Sequence, residues 1–522
     1  MSAKPSMQVH PGRGLGFLTL GASLHDVLIR FKAQPNLYPT IDTSYSSSTP
    51  LTAPVILHLP LNGFRLRFDG PDQRLRLIEV IDFTRTSLTY KDTDLVKLAE
   101  ADAMIAMPSN TKGPAFRHVY RLMGPSFAGE YMPPKPSSGL DEGLYVLSYP
   151  GIALTFPVQS SAWSPDVDFV SLLSSSAASA STCLAIFDGQ SWPEARQNLM
   201  FRPCPYPRSL ALSSRGKEFR PDEIELAVIR GKGRIDLERR AEPTFQIILS
   251  TTTPQDLVAE LGPPDAVYRK YDRRLSIHKA QQKDRDRERR FSSNSRDQSE
   301  DLADTDHSSA HTATDDSENE DQSKAFRNMF AGSSTECFYN YFHHGFDVFI
   351  SYPAARSPTL FSGEPEDDEI ADGLDPNQLV ATKILFHGNV PGSFPFNRYR
   401  RSRWVLDIDR QDSNLDLALN SETPFGAMSE RLLRIWRQRS PEVASNDLNK
   451  NPMVLNRDWN DSPGSSCEIL GDWEESTESS RKGLSGGNIS TGPELSNTKL
   501  YGFPGLLFEI LKNDAVSCLT VY

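Results

Sequence analysis

The sequence predicts an α+β protein built from repeated units, each one helix plus short antiparallel strands, grouped as two lobes with disordered insertions between and within them. Three observations predict it. A glycine followed by an alternating apolar strand, a turn and a further strand recurs at Gly63, Gly151, Gly345 and Gly505, and four such recurrences along one chain mark a repeated supersecondary unit. Apolar stripes at helical spacing lie among these strands, which points to helices packed on one face of small antiparallel sheets. Polar stretches of monotonous composition separate the units, and such sequence buries too little apolar surface to fold.

In the first unit Ser23 is placed to cap a helix in which Leu24, Val27, Leu28 and Phe31 form a single stripe at i, i+3, i+4 and i+7. Strands are expected at 55–59, 63–68 and 75–81. Phe64, Leu66 and Phe68 alternate with Arg65 and Arg67, which gives one buried and one solvated face. Gly63 and the stretch from Asp69 to Gln73 supply the turns. In the second unit Phe116, Val119, Tyr120 and Met123 form a helical stripe stopped by Gly124 and Pro125, and strands 144–148 and 152–156 flank a Pro-Gly turn. The third begins with a strand at 245–249. Its helix has Thr253 as cap, Pro254 in first position and a stop at Gly262, before strands at 338–342, 345–350 and 381–386. The fourth has a helix near Met428–Trp436 and strands at 499–501, 505–510 and 516–521.

These units fall near 15–83 and 110–190 in an N-terminal lobe spanning 1–240, and near 244–410 and 422–522 in a C-terminal lobe spanning 241–522. Segments 281–325, 354–376 and 440–496 read as disordered insertions, and the Ser/Ala-rich run 171–181 as a shorter one. Ordering such segments costs ~1–2 kcal/mol per residue of backbone entropy, with little burial to offset it.

Composition narrows the function. Across 522 residues the formal net charge is -12, and an acidic surface repels phosphate backbones, so nucleic acid is not expected as a partner. Hydrophobic residues make up 38% of the chain, enough for a large core. The five cysteines, Cys183, Cys204, Cys337, Cys467 and Cys518, are odd in number and include no C-x-x-C pair. Reduced thiols in a cytoplasmic protein are the expectation. The opening residues lack the apolar stretch of a signal peptide, no run approaches the ~18 apolar residues of a membrane span, and the acceptor Asn488-Ile-Ser490 would be idle in the cytosol.

No enzyme motif withstands inspection, and neither a cofactor nor a metal is expected. Gly12, Gly14 and Gly16 do not keep the dinucleotide-binding spacing, and they precede a strand at a frayed terminus rather than following one. Gly231-Lys-Gly233 reads as a turn. His343 and His344 are adjacent, so strand geometry sends them to opposite faces, one outward and one packed; no zinc-like ligand spacing surrounds them. His387, at a strand end, is expected to hydrogen-bond in a turn, and no serine occupies a G-x-S-x-G elbow. The basic-aromatic stretch from Phe396 to Trp404 is the one candidate contact site. Arg398, Arg400, Arg401 and Arg403 can grip an acidic loop of a partner or a phospholipid headgroup through bidentate guanidinium pairs; the alternative is a solvated strand edge kept unpaired by charge.

Several stretches resemble the phagophore assembly factor family, formerly an uncharacterised protein family, in a fungal-type form with long insertions. In the middle they are Tyr339-Asn-Tyr-Phe342, Gly345, Asp347, Lys383–His387, Asn389, Pro391-Gly392, Phe396-Asn397, Tyr399 and Arg401. The opening, from Leu20-Gly21 through Gly63 and Phe68-Asp69 to Ile78-Glu-Val80, is similar to that family's start, and Gly505 to Tyr522 to its last strands. The match is looser between about 84 and 240. The resemblance implies a non-enzymatic adaptor in autophagy, acting at the phagophore assembly site with a WD-repeat propeller protein. The alternative function is a Golgi or endosomal vesicle-trafficking factor that contacts membranes directly through the arginine stretch; a peripheral membrane or phosphoinositide contact is the further partner expected.

Overall fold

A computed structural model describes residues 6–96, 113–134, 141–199, 223–269, 336–353, 378–393, 395–407, 419–439, 452–456 and 497–522. The insertions expected at 281–325 and 354–376 lie outside these residues, as does most of 440–496.

The first half opens with strands β1 (Ser6–His10), β2 (Gly14–Leu15) and β3 (Leu18–Thr19), followed by helix α1 (Leu24–Lys32). Ser23 caps α1 by accepting from the Asp26 N–H, and Leu24, Val27, Leu28 and Phe31 are all buried, as the stripe requires. A four-strand meander follows: β4 (Asp42–Ser44), β5 (Val55–Leu59), β6 (Phe64–Phe68) and β7 (Leu75–Val80). The second unit repeats the plan with β8 (Ser87–Tyr90), β9 (Thr93–Asp94), α2 (Phe116–Met123), β10 (Glu130–Met132), β11 (Glu142–Tyr149) and β12 (Ile152–Gln159). A short helix α3 (Phe169–Ser174) precedes β13 (Cys183–Phe187), and α4 (Trp192–Asn198) comes after it.

The second half has the same order. β14 (Ile224–Arg230), β15 (Arg234–Arg239) and β16 (Phe245–Ile248) lead to α5 (Pro254–Leu261) and a meander of β17 (Ala266–Arg269), β18 (Cys337–Tyr341), β19 (Phe346–Ser351) and β20 (Val380–His387). β21 (Trp404–Asp407), β22 (Leu419–Asn420) and α6 (Phe425–Arg439) then introduce β23 (Met453–Asn456), β24 (Asn497–Phe503), β25 (Leu506–Ile510) and β26 (Val516–Val521). Thr253 and Asp256 form a reciprocal capping box at the start of α5, with Pro254 in the first turn, and Gly262 ends it.

Each half builds one five-stranded and one eight-stranded sheet, and the strand orders coincide position for position. The five-stranded sheets run β3-β2-β1-β8-β9 and β16-β15-β14-β21-β22. The eight-stranded sheets run β10-β11-β12-β13-β7-β6-β5-β4 and β23-β24-β25-β26-β20-β19-β18-β17. Only β1–β8 and β14–β21 are parallel among these pairs. The chain is thus an α+β protein of two lobes, each of two units.

The duplication holds in register. The four signature glycines each turn the central hairpin of a meander in the left-handed region, with φ of 79° at Gly63, 78° at Gly151, 86° at Gly345 and 73° at Gly505. Glycine is the residue that adopts this backbone without steric penalty. At Gly151 and Gly345 a side chain would also collide with backbone, the Gly12 nitrogen at 2.0 Å and the Arg400 carbonyl oxygen at 2.3 Å. Four residues beyond the glycine, in three of the four units, the hairpin's second strand shifts register against the strand that follows it, at Arg67/Phe68, Phe349/Ile350 and Glu509/Ile510. The meanders join along β7–β13, where Val80 faces Leu184, and along β20–β26, where Phe386 faces Leu519.

Alternate strand residues feed the two cores. α1 and α2 cover the inner face of the first eight-stranded sheet, whereas Leu257 and Leu261 of α5 and Phe425, Met428, Leu432 and Trp436 of α6 cover that of the second. Each such side chain contributes about 1.5–3 kcal/mol by leaving water.

Several sequence expectations change here. The run 171–181 is not an unfolded insertion: Asp168 caps α3, Leu172 and Leu173 are buried, and Ala178 bridges to Val158. Two leucines suffice to anchor a run whose average composition hides them. Met453–Asn456, inside the expected insertion 440–496, pairs with β24 as an edge strand; at four residues it is too short to stand out from its polar surroundings. β14 and β15 precede residue 240, where the lobes were expected to divide, yet pair with β21 and β16 of the second half. Gly231-Lys-Gly233 is the turn between them. Gly12 and Gly14 lie in the β1–β2 hairpin and Gly16 between β2 and β3, so strand β1 precedes them and further strands follow, and the Gly12 N–H donates to the Gly151 carbonyl at 2.9 Å.

Candidate functional site: the seam between the lobes

The connection from β20 to β21, residues 388–403, corresponds to residues 81–86 between β7 and β8 and is much longer. The added residues include the basic-aromatic stretch, and they reach across to the first lobe. Two asparagines shape the loop, Asn389 at φ 44° and Asn397 at φ 62°. Asparagine tolerates this region better than most residues because its short side chain can bond locally. Asn389 does so: its Oδ1 accepts from the Asn397 N–H at 2.6 Å.

From this base Asn389 pairs reciprocally with Gln73 of the β6–β7 turn. The Gln73 amide donates to the Asn389 carbonyl at 2.9 Å, and the Asn389 amide donates to Gln73 Oε1 at 2.7 Å. His25 of α1 donates to the Arg398 carbonyl at 3.3 Å. Apolar contacts flank the pair. Phe396 packs on the first lobe's core, and Val390 joins Leu51, Leu511 and Ala515 in a small buried cluster.

Two ion-pair groups complete the seam. In one, Asp69, Arg76, Asp72, Arg403, Glu422 and Arg401 alternate in sign from the first lobe into the second. Arg403 donates to Asp72 at 2.6 Å and Glu422 at 3.0 Å, while Arg401 reaches Glu422 at 3.2 Å. In the other, Glu223 receives Arg74 at 2.8 Å, Arg240 at 3.3 Å and Arg400 at 3.7 Å. Burial would raise the Glu223 carboxyl, but Arg400 and Arg74 hold it below the usual range. Burial likewise pushes Asp26 up, yet His25 and, beyond it, Arg400 keep it well below. Desolvation pulls Arg400 down to about 10, aided by Arg74 and opposed by Glu223 and Asp26.

The four arginines singled out from the sequence therefore do not form an exposed cluster. Arg400 and Arg401 are only 6% and 5% exposed, and Arg398 and Arg403 are half-buried. Buried guanidiniums must be paired, and internal carboxylates and carbonyls serve that purpose here. Sequence reasoning placed Gln73 only in a turn and missed Arg74, Glu223 and Glu422 as seam residues; for Arg74 and Glu223 the sole signal is a complementary charge 149 positions away.

Below the loop lies a second polar group. Asp347 accepts from His387 at 2.9 Å, from the Tyr399 hydroxyl at 2.8 Å and from Asn340 at 2.8 Å, and Tyr399 stacks on His387 with ring centroids 3.7 Å apart. His387 thus bonds across strands rather than within a turn. Burial opposes its charge, but Cys518 and Asp347 raise its pKa to about 10. Of the other histidines, His343 points to Asp265 at 2.6 Å, whereas His344 is 2% exposed and lies flat on Phe346. Among the described residues no cluster of His, Cys, Asp and Glu is placed to hold a metal, and no helix is long and apolar enough to cross a membrane.

Comparison with known proteins adds to this geometry. The family model for phagosome assembly factor 1 matches residues 14–293 and 374–522. A PHAF1 protein of Arabidopsis thaliana is 24% identical, the alignment covering 98% of this chain and 92% of the plant protein. A PHAF1 protein of Drosophila melanogaster is 22% identical over 96% of this chain and 90% of its own. One from Caenorhabditis elegans is 26% identical over 26% of this chain and 28% of its own. No solved structure matches.

Proposed function

Because the chain belongs to the phagosome assembly factor 1 family, we propose that it works as a non-enzymatic adaptor in the assembly of autophagosomes, bound to a WD-repeat propeller protein at the phagophore assembly site. One observation carries the reading: the seam residues are spent on holding two lobes as a single body. Asp72, Glu223 and Glu422 each take up guanidinium groups that would otherwise serve a ligand. Gln73 and Asn389 satisfy each other. A body braced in this way offers large sheet surfaces in fixed relation, which is what a docking protein needs.

The experiment is imaging and affinity purification of the tagged chain in fed and starved cells. Recruitment to forming autophagosomes on starvation, with a propeller protein in the purified complex, supports the adaptor. Constant Golgi or endosomal puncta with no propeller partner would overturn it in favour of a trafficking factor.

A further inference from the structure

The duplicated lobes act as controls for one another. In the first lobe both faces of the eight-stranded sheet are covered. The outer face presents Leu77, Val146, Ala153, Ala185 and Phe187, all buried beneath α4, which brings Trp192, Ala195 and Leu199 onto them. The Trp192 and Phe187 rings lie 5.1 Å apart, and Arg196 of α4 is tied to Glu130 of β10 at 2.9 Å.

Register carries these positions into the second lobe. Leu77, Val146, Ala153, Ala185 and Phe187 correspond to Lys383, Leu500, Leu507, Thr520 and Tyr522, and Glu130 to Met453. There, among the described residues, no helix covers the face. Tyr522 is 52% and Met453 64% exposed, Lys383 is exposed, and Leu500, Leu507 and Thr520 are half-buried. Phe338 and Phe349, tilted against each other with ring centroids 4.6 Å apart, and Leu385 extend the same half-buried apolar face. The two described helices of this lobe, α5 and α6, both pack on the inner face, and the seam loop covers only the end at His387, through Tyr399.

We infer that this outer face is the docking site for an amphipathic helix of a partner protein, seated over β20, β26, β25 and β24 as α4 is seated over β7, β13, β12 and β11. Where the duplicate differs, it specifies the partner. Lys383 replaces Leu77, so the incoming helix carries a carboxylate at that point, where its charge meets the ammonium group beside the Phe349 ring. Met453 replaces Glu130, so an apolar residue stands where α4 has Arg196. Leu507 and Thr520 replace two alanines, so this helix rides higher than α4 does and reaches the sheet with small or slender side chains. The site rests on the adaptor reading for its biological setting, but its chemistry is tested without it.

The probe is a labelled peptide with the sequence of residues 189–200, made also with Arg196→Leu, and titrated into the full chain by fluorescence anisotropy. Saturable binding is expected, tighter for the Arg196→Leu peptide and weakened at least tenfold by Leu507→Asp or Leu500→Asp in the protein. Leu61→Asp, an exposed position in the first lobe, is expected to leave it unchanged. Lys383→Glu, a surface change that spares packing, is expected to weaken a third peptide that bears an added glutamate while sparing the parent. No binding of any peptide overturns the proposal, as does binding indifferent to Leu507→Asp. So does a Leu507→Cys thiol that resists a thiol-reactive label in the free chain while a Leu61→Cys thiol reacts, which would mean that the protein covers the face itself. A dimer in sedimentation that Leu507→Asp dissociates would assign the face to a second copy instead. Failure of the adaptor reading looks different: peptide binding persists while recruitment in starved cells is absent.

Discussion

Asn389 holds together three things at once: the loop that contains it, the Asn397 backbone and the Gln73 side chain of the other lobe. Replacing it by alanine strands Gln73 Oε1 and the Asn397 N–H in a buried setting, and each orphan costs about 1–3 kcal/mol. Gln73→Ala also strands two groups, but Asn389→Ala in addition forces alanine, which lacks asparagine's tolerance of the left-handed region, to φ 44°. It is therefore expected to lower the denaturation free energy by more, with strong coupling in the double-mutant cycle. His387 gives a pH signature. Its folded pKa of about 10 lies above the unfolded value of 6.5. The stabilisation is fully present below about pH 6.5 and is lost as pH rises through the folded value. Denaturant midpoints should fall between these limits in the wild type and change less in His387→Gln. What made these residues hard to read from sequence is distance: Arg403 meets Asp72 across 331 positions, so an arginine run that resembles a solvated patch is in fact internal.

Among the elements, the glycine hairpins were legible because they combine a required backbone geometry with two-residue alternation, both local properties. The capped helices α1 and α5 were legible for the same reason. The five-stranded sheets were not. Their strands include β2, β3, β9 and β22 of two residues each, and their centres are the parallel pairs β1–β8 and β14–β21. Two residues display no period, and a parallel pair joins segments that no local pattern links. The hairpins also differ among themselves in a way that can be measured. A methyl group at Gly345 meets the Arg400 carbonyl oxygen at 2.3 Å, whereas at Gly505 the nearest atom is the Tyr522 carbonyl oxygen at 3.4 Å. Gly505→Ala should therefore cost only the left-handed strain, about 1–2 kcal/mol. Gly345→Ala should cost appreciably more and shift the seam loop, seen as chemical-shift or hydrogen-exchange changes at residues 398–403.

For the molecule as a whole, the seam is more electrostatic than oily. Arg403→Glu places a third carboxylate between Asp72 and Glu422, so the lobes should uncouple. Calorimetry is expected to show two transitions in place of one, and small-angle scattering an increased radius of gyration, with each lobe's secondary structure retained by circular dichroism. A single cooperative transition at unchanged temperature would show that the ion pairs are incidental to the union of the lobes.

One connector, residues 388–403, is long in only one of the two equivalent halves. Halves built to a common plan would otherwise be free to associate as interchangeable partners, within a chain or between chains. The lengthened crossing removes that ambiguity: it can grasp its neighbour from one side alone, so the pair acquires a handed, non-reciprocal geometry. Polarity of this kind lets a duplicated scaffold present two different ends to its surroundings, although each end was drawn from the same template.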